Sequence, residues 1–116
     1  MGFHKVGNRT YWIDVYCHME DIPIEGNVLV SGNDREDKLA EDLVREELED
    51  GNEWAWCMAQ VEVTDMDSDN ENTESDYLGA CSYKSKADFI KNSGYYDDMV
   101  KTCIEQLNER FMKESK

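Results

Sequence analysis

The sequence predicts an α+β fold: a single antiparallel sheet of about four strands, in the order β-β-α-β-β-α, with two helices packed on one face. Three observations predict it. Residues 10–19 and 54–63 alternate apolar and polar side chains with the period of two that a half-buried strand needs. Residues 34–50 and 96–112 space their apolar side chains three and four apart, as helices do. Turn and cap signals separate these stretches. At 116 residues, with 40% apolar and 10% aromatic side chains, the chain 1–116 is one domain with material for a core, although 34% of it is charged.

The elements follow in order. Residues 1–9 are polar and read as a loose N-terminus. In the first strand Tyr11, Ile13, Val15, Cys17 and Met19 alternate with Trp12, Asp14, Tyr16 and His18. Pro23 and Gly26 mark a turn into a shorter second strand at 27–31. Asn33-x-x-Glu36 then reads as a capping box. Leu39, Ala40, Leu43, Val44 and Leu48 form the apolar face of the helix that follows, with Glu47 inside that arc and Gly51 at its C-terminal stop. The third strand puts Ala55, Cys57, Ala59, Val61 and Val63 on the side a helix can approach, and Trp54, Trp56, Met58, Gln60 and Glu62 on the other. Residues 65–76 form an acidic hairpin loop without a base, and 77–83 a fourth strand weakened by Gly79. Ser85-x-x-Asp88 caps a brief helical turn that ends near 92–94. The last helix presents Met99, Val100, Cys103, Ile104, Leu107 and Phe111, with Asp97 and Asp98 in its first turn and Lys113 near its end, as the helix dipole favours.

Charge is the most informative feature. The net charge is −15, and residues 20–76 alone hold twenty acids against three bases, while both ends of the chain are close to neutral. A field so concentrated repels nucleic acid and anionic membrane and attracts basic surfaces. Residues 34–50 carry nine acids and three bases. Over a helix of about 25 Å that is one net charge per roughly 4 Å. Duplex DNA carries one per about 1.7 Å, so imitation of DNA requires the acidic loop to lie beside the helix. The helix also carries i,i+4 pairs, such as Glu41 with Arg45, that suit an ordinary solvated face.

The remaining patterns argue for no reaction. Acids at alternate positions from Asp65 to Asp76 resemble an EF-hand calcium loop. However, Asn70 stands where the turn needs glycine, Asp76 replaces the bidentate glutamate, and the flanks read as strands. Cys17, Cys57, Cys81 and Cys103 lack paired metal-ligand spacing and read as buried reduced thiols. The chain has two histidines, no glycine loop for phosphate and no nucleophile elbow. The expectation is therefore a non-enzyme with neither metal nor cofactor. Trp12, Tyr16, Trp54, Trp56 and Met58 project together from the far side of the sheet, a mixture that protein interfaces use; the absence of Lys and Arg there argues against RNA. No apolar run approaches the roughly 18 residues of a membrane span, no signal-peptide pattern opens the chain, and Val6 breaks a myristoylation motif. A cytoplasmic protein is expected.

Residues 77–85 (YLGACSYKS) and 93–99 (SGYYDDM) resemble small acidic proteins of tailed bacteriophages. In size and charge the chain is also similar to phage counter-defence inhibitors that imitate DNA, among them anti-restriction and anti-CRISPR proteins. The resemblance implies a stoichiometric inhibitor acting in the host cytoplasm, which occupies a basic DNA- or RNA-binding cleft of a host protein without touching nucleic acid itself. The expected contact surface is Asp37, Glu41, Asp42, Glu46, Glu49 and Asp50 of the helix with Asp65, Asp67, Asp69, Glu71, Glu74 and Asp76 of the loop. Two other expectations stand beside it: an adaptor that uses the aromatic face for self-association as a homodimer or for a hydrophobic partner, and a calcium-binding loop protein.

Overall fold

The alternation at residues 10–19 is expressed as β2 (Arg9–Met19), whose Tyr11, Ile13 and Val15 are buried while its even-numbered side chains face the other way. The computed structural model of the chain describes residues 2–67 and 72–114, with side chains described to residue 110. The other elements are β1 (Gly2–Val6), α1 (Asp34–Glu49), a one-turn 3-10 helix at Glu53–Ala55, β3 (Cys57–Asp65), β4 (Thr73–Cys81), α2 (Lys86–Asn92) and α3 (Tyr96–Glu114). The sheet is an antiparallel meander in the order β1-β2-β3-β4, so the fold is α+β.

Two strands shift their bounds, the third to Cys57–Asp65 and the fourth to Thr73–Cys81, and two further assignments are replaced. Residues 2–9 are not the loose end expected of 1–9: β1 pairs with β2 through Val6↔Arg9, across a two-residue turn in which Gly7 has φ +60. That left-handed first position suits the primed turns of hairpins, and glycine takes it without steric cost. Residues 27–31 are not a strand. The chain turns there, with Asn27 N–H on the Ile24 carbonyl at 3.1 Å, and Ser31 N–H and Oγ both donate to the Asp37 carboxylate. The sheet thus keeps four strands, with the polar β1 and not the 27–31 segment as one of them.

α3 lies on the odd-numbered face of β3. Met99, Val100, Cys103, Ile104 and Leu107 pack there against Val61, Val63, Ala59 and Ile13, and the Tyr11 hydroxyl donates to Asn108 at 3.0 Å. Phe111 belongs to the same helical stripe, and its side chain lies outside the described residues. α2 begins as its sequence indicates, Ser85 Oγ accepting Asp88 N–H at 3.1 Å. It inserts Phe89 between Trp54, Tyr83 and Tyr96, with ring centroids 5.4, 5.3 and 6.3 Å away.

α1 is capped at both ends. Asn33 Oδ1 accepts from the Arg35 and Glu36 amides, and Gly51 at φ +97 closes a Schellman arrangement: Gly51 N–H bonds to the Leu48 carbonyl and Asn52 N–H to that of Glu47. It packs mainly on the 3-10 turn ahead of β3, not across the strands. The molecule is accordingly long, 58 × 25 × 21 Å, with a radius of gyration of 17.4 Å where a chain of this length averages about 13 Å.

Candidate functional site

α1 buries a different face from the one its leucines suggest. Val44 is buried and Ala40 and Leu48 half-buried, but the same inward arc carries Asp37 and Glu41. The Asp37 carboxylate holds Ser31, and Glu41, itself 7% exposed, accepts Gly26 N–H at 3.2 Å. Leu39 and Leu43 are turned out and remain 58% and 62% exposed. At 100° per residue they share the outward face with Glu36, Glu46, Glu47 and Asp50. Glu47, expected inside the apolar arc, is exposed, and its carboxylate accepts from Asn52 at 3.3 Å.

The last turn of α1 has no base, although Glu46, Glu47, Glu49 and the C-cap Asp50 crowd it and Glu53 follows. Carboxylates at the negative end of a helix dipole are unfavourable by a few tenths to about 1 kcal/mol each. Apart from the Glu47 contact to Asn52, no hydrogen bond or ion pair of the described residues ties these carboxylates to the fold. They form an exposed acidic rim around two exposed leucines.

The other expected carboxylates lie elsewhere and have other duties. Asp65 ends β3 and is 2% exposed, paired with the Arg9 guanidinium and accepting Asp67 N–H at 3.0 Å. Asp67 accepts Thr10 N–H at 2.6 Å. Glu74 and Asp76 belong to β4, not to a loop. Their partners Val63 and Val61 place both on the helix side of the sheet, and Glu74 pairs with Arg110 of α3. Asp69 and Glu71 lie outside the described residues. α1 adjoins the start of β3 and the 65–73 connection follows its end, so a strand of about 27 Å separates them. Among the described residues, the helix carboxylates and Asp65, Asp67, Glu74 and Asp76 therefore do not form one ribbon. Of the six helix positions, Glu46, Glu49 and Asp50 are brought together and exposed, Asp42 pairs with Arg45 at 3.2 Å, and Asp37 and Glu41 are turned inward. Among the described residues no group of three His, Cys, Asp or Glu side chains could hold a metal ion.

The aromatic face is also rearranged. Trp54 is not on it: Asn52 Oδ1 accepts Trp54 N–H at 3.1 Å and starts the 3-10 turn, so strand alternation does not apply there. The indole swings into the core onto Phe89. Trp56 is buried, its Nε1 donating to the Ile22 carbonyl at 2.8 Å, beside Cys17 and Leu48. Trp12, Tyr16 and Met58 do share the face, joined by two residues the sequence reading missed, Phe3 and Tyr77. Phe3 pairs with Trp12 across the strands, ring edge to face at 4.8 Å, and Tyr77 stands opposite Gln60. Polar side chains tie the face together: Trp12 Nε1 donates to Asp14 at 2.8 Å, His18 bonds to Gln60 at 2.6 Å, and Gln60 donates to Ser75 at 2.9 Å. Beneath β1 a groove of about 540 Å³, lined by Ile13, Val100 and Ile104, opens between the edge strand and α3.

No helix of the described residues is long and apolar enough to cross a membrane. No family model, curated protein or solved structure matches the chain.

Proposed function

We propose that this chain is a non-enzymatic binding protein that docks the outward face of α1 into a basic cleft of a partner protein, where nucleic acid would otherwise bind, as a phage-type inhibitor would. One observation carries the reading: Leu39 and Leu43 lie exposed among Glu36, Glu46, Glu47 and Asp50, on a helix that stands off the sheet with no base in its last turn. An apolar centre with an acidic rim suits a partner surface with the opposite arrangement. The helix has about half the charge density of DNA, so the leucines supply contact area that phosphate mimicry alone would not.

The test uses the intact chain, immobilised, against lysate at low and physiological ionic strength. Capture of a nucleic-acid-binding protein that weakens with salt, that duplex DNA or RNA displaces, and that Glu46→Gln/Glu49→Gln/Asp50→Asn abolishes is the expected outcome. Binding indifferent to salt and to that triple substitution would sink the proposal.

A second reading is favoured by the exposure of Phe3 (70%), Tyr16 (41%) and Tyr77 (54%) around Trp12. On this reading the open sheet face joins two copies of the chain. A native mass of two chains that Phe3→Ala/Tyr77→Ala returns to one, with the acid substitutions harmless, selects it.

A further inference from the structure

Three of the four cysteines meet at one end of the sheet. Cys57 and Cys81 are directly opposite in β3 and β4. Residues so paired have Cα atoms about 4.5 or 5.5 Å apart, and both spacings lie in the range a disulfide spans. Cys17 of β2 stands opposite Ala59, and its thiol and that of Cys81 are the thiol neighbours of Cys57. Cys103 is apart from them on α3, fully buried, with its thiol toward the Val61 carbonyl.

The backbone around this pair is irregular. Between Leu78↔Ala59 and Cys81↔Cys57, β4 has two residues, Gly79 and Ala80, against the single Met58 of β3: a β-bulge. Ala80 has φ +52, the left-handed region, which a non-glycine residue occupies only at a cost. It is held there by Glu20, whose carboxylate accepts Ala80 N–H at 2.6 Å and Ile22 N–H at 3.1 Å. Gly79 leaves room for that contact, since a Cβ on it would sit 3.2 Å from Glu20 Oε2. The bulge brings Cys81 to the wall of a surface cleft of about 320 Å³, shared with Gly79, Ala80, Ser82, Tyr83 and Tyr95.

We infer that Cys81 and Cys57 are a dithiol that small disulfides oxidise reversibly to a cross-strand disulfide, with Cys81 as the attacking sulfur. The proton distribution supports this order. The Cys57 thiol is pushed up by its hydrogen bond to Cys81 and by burial, and the same bond lowers Cys81 despite burial. Of the two, Cys81 is therefore the more readily ionised, although in the resting structure the residue is 4% exposed and its thiol donates to the Leu78 carbonyl at 3.1 Å. With oxidised glutathione as oxidant, the Cys81 thiolate attacks one sulfur of the S–S bond. Cys81 gives its proton to solvent as it ionises, the glutathione S–S bond breaks, a Cys81–glutathione mixed disulfide forms, and one glutathione leaves as a thiolate that takes up a proton from solvent. Cys57 then gives its proton to the second leaving group and attacks Cys81 Sγ, breaking the mixed disulfide. Two protein thiols are oxidised, one glutathione disulfide is reduced, and two glutathione thiols are released.

The experiment equilibrates the folded full chain in buffers of graded oxidised-to-reduced glutathione ratio, quenches with acid, alkylates and maps peptides by mass. The expected product is a Cys57–Cys81 linked peptide that reverses on raising the reduced fraction, with Cys103 alkylated only after unfolding. Cys57→Ser should stop the reaction at the mixed disulfide on Cys81, in about tenfold excess over Cys17. Cys103→Ser should change nothing. Circular dichroism of each variant establishes that it is folded. Four unreacted thiols in the folded chain at the most oxidising ratio would overturn the inference. So would a Cys17–Cys57 link as the main product, or a mixed disulfide confined to Cys17.

Discussion

If α1 faces the body of the protein through Val44 and not through Leu39 and Leu43, truncating those two leucines should cost little. Full burial of a leucine side chain is worth about 1.5–3 kcal/mol. Leu39 and Leu43 are 58% and 62% exposed, so about two-fifths of that is realised, roughly 0.6–1.2 kcal/mol each. Alanine returns about 0.2 kcal/mol as the better helix former. Leu39→Ala and Leu43→Ala should therefore each lower stability by about 0.5–1 kcal/mol. Val44, 7% exposed, loses two methyl groups on Val44→Ala and leaves a cavity, for a loss of about 2 kcal/mol. The ranking inverts what side-chain size alone dictates, because Leu→Ala in a core costs about 2–5 kcal/mol. Urea unfolding followed by far-ultraviolet circular dichroism measures all three, with the m-value as a check that the native state is unchanged. A loss of about 2 kcal/mol or more at either leucine would refute the outward orientation and the docking face built on it.

Three further outcomes follow from the same geometry. Phe89→Ala, which empties a fully buried site between three aromatic rings, should cost about 3–5 kcal/mol and shift the Trp54 fluorescence; a loss under about 1.5 kcal/mol would contradict that packing. Asp65→Asn removes the buried carboxylate charge that faces the Arg9 guanidinium at the base of the β3–β4 hairpin, and should cost about 3 kcal/mol by the same denaturation assay. The Glu20 carboxylate is held below its ordinary value of 4.5 by the amides of Ala80 and Ile22. Its contribution is therefore present above the unfolded value and lost as pH falls through the lower folded one, so Glu20→Gln should flatten the acid side of a melting-temperature profile below about pH 4.5.

How much of this was legible depended on whether a residue's surroundings are local. The strand at 10–19, the 57–63 part of the expected third strand, the Asn33 and Ser85 caps, the Gly51 stop and the span of α3 all rest on interactions within a few residues, and the sequence carries those directly. β1 was hidden because a polar edge strand bears no apolar alternation; the Gly7-Asn8 pair, a hairpin-type dipeptide between residues able to pair, was the available signal. The 27–31 segment had strand-forming residues but no neighbour to pair with. Trp54 was misplaced by one local event, the Asn52 cap that makes a helical turn where alternation predicted extended chain. The orientation of α1 was out of reach for a different reason. Its partners are the 3-10 turn and the 24–31 segment, and the latter donates Gly26 N–H to Glu41 and Ser31 N–H and Oγ–H to Asp37, bonds that no hydropathy pattern registers.

The separation of the carboxylates carries the functional argument further than their number does. Asp37, Glu41, Glu20, Asp65, Asp67 and Glu74 each hold a backbone amide, a hydroxyl or a guanidinium, so a good part of the acidity is structural and would be retained by a protein with no basic partner at all. Net charge alone therefore overstates the case for an electropositive target. Glu46, Glu49 and Asp50 have no such duty and sit together at the C-terminal end of α1, where the helix dipole opposes them and the last turn holds no base. Replacing Glu46 and Glu49 with lysine should thus stabilise the free protein by a few tenths to about 1 kcal/mol per site while destroying partner binding. Opposite signs for stability and affinity mark a functional cluster. If both fell together, the acids would be part of the fold's own support, and α1 would lose its claim to be the contact surface.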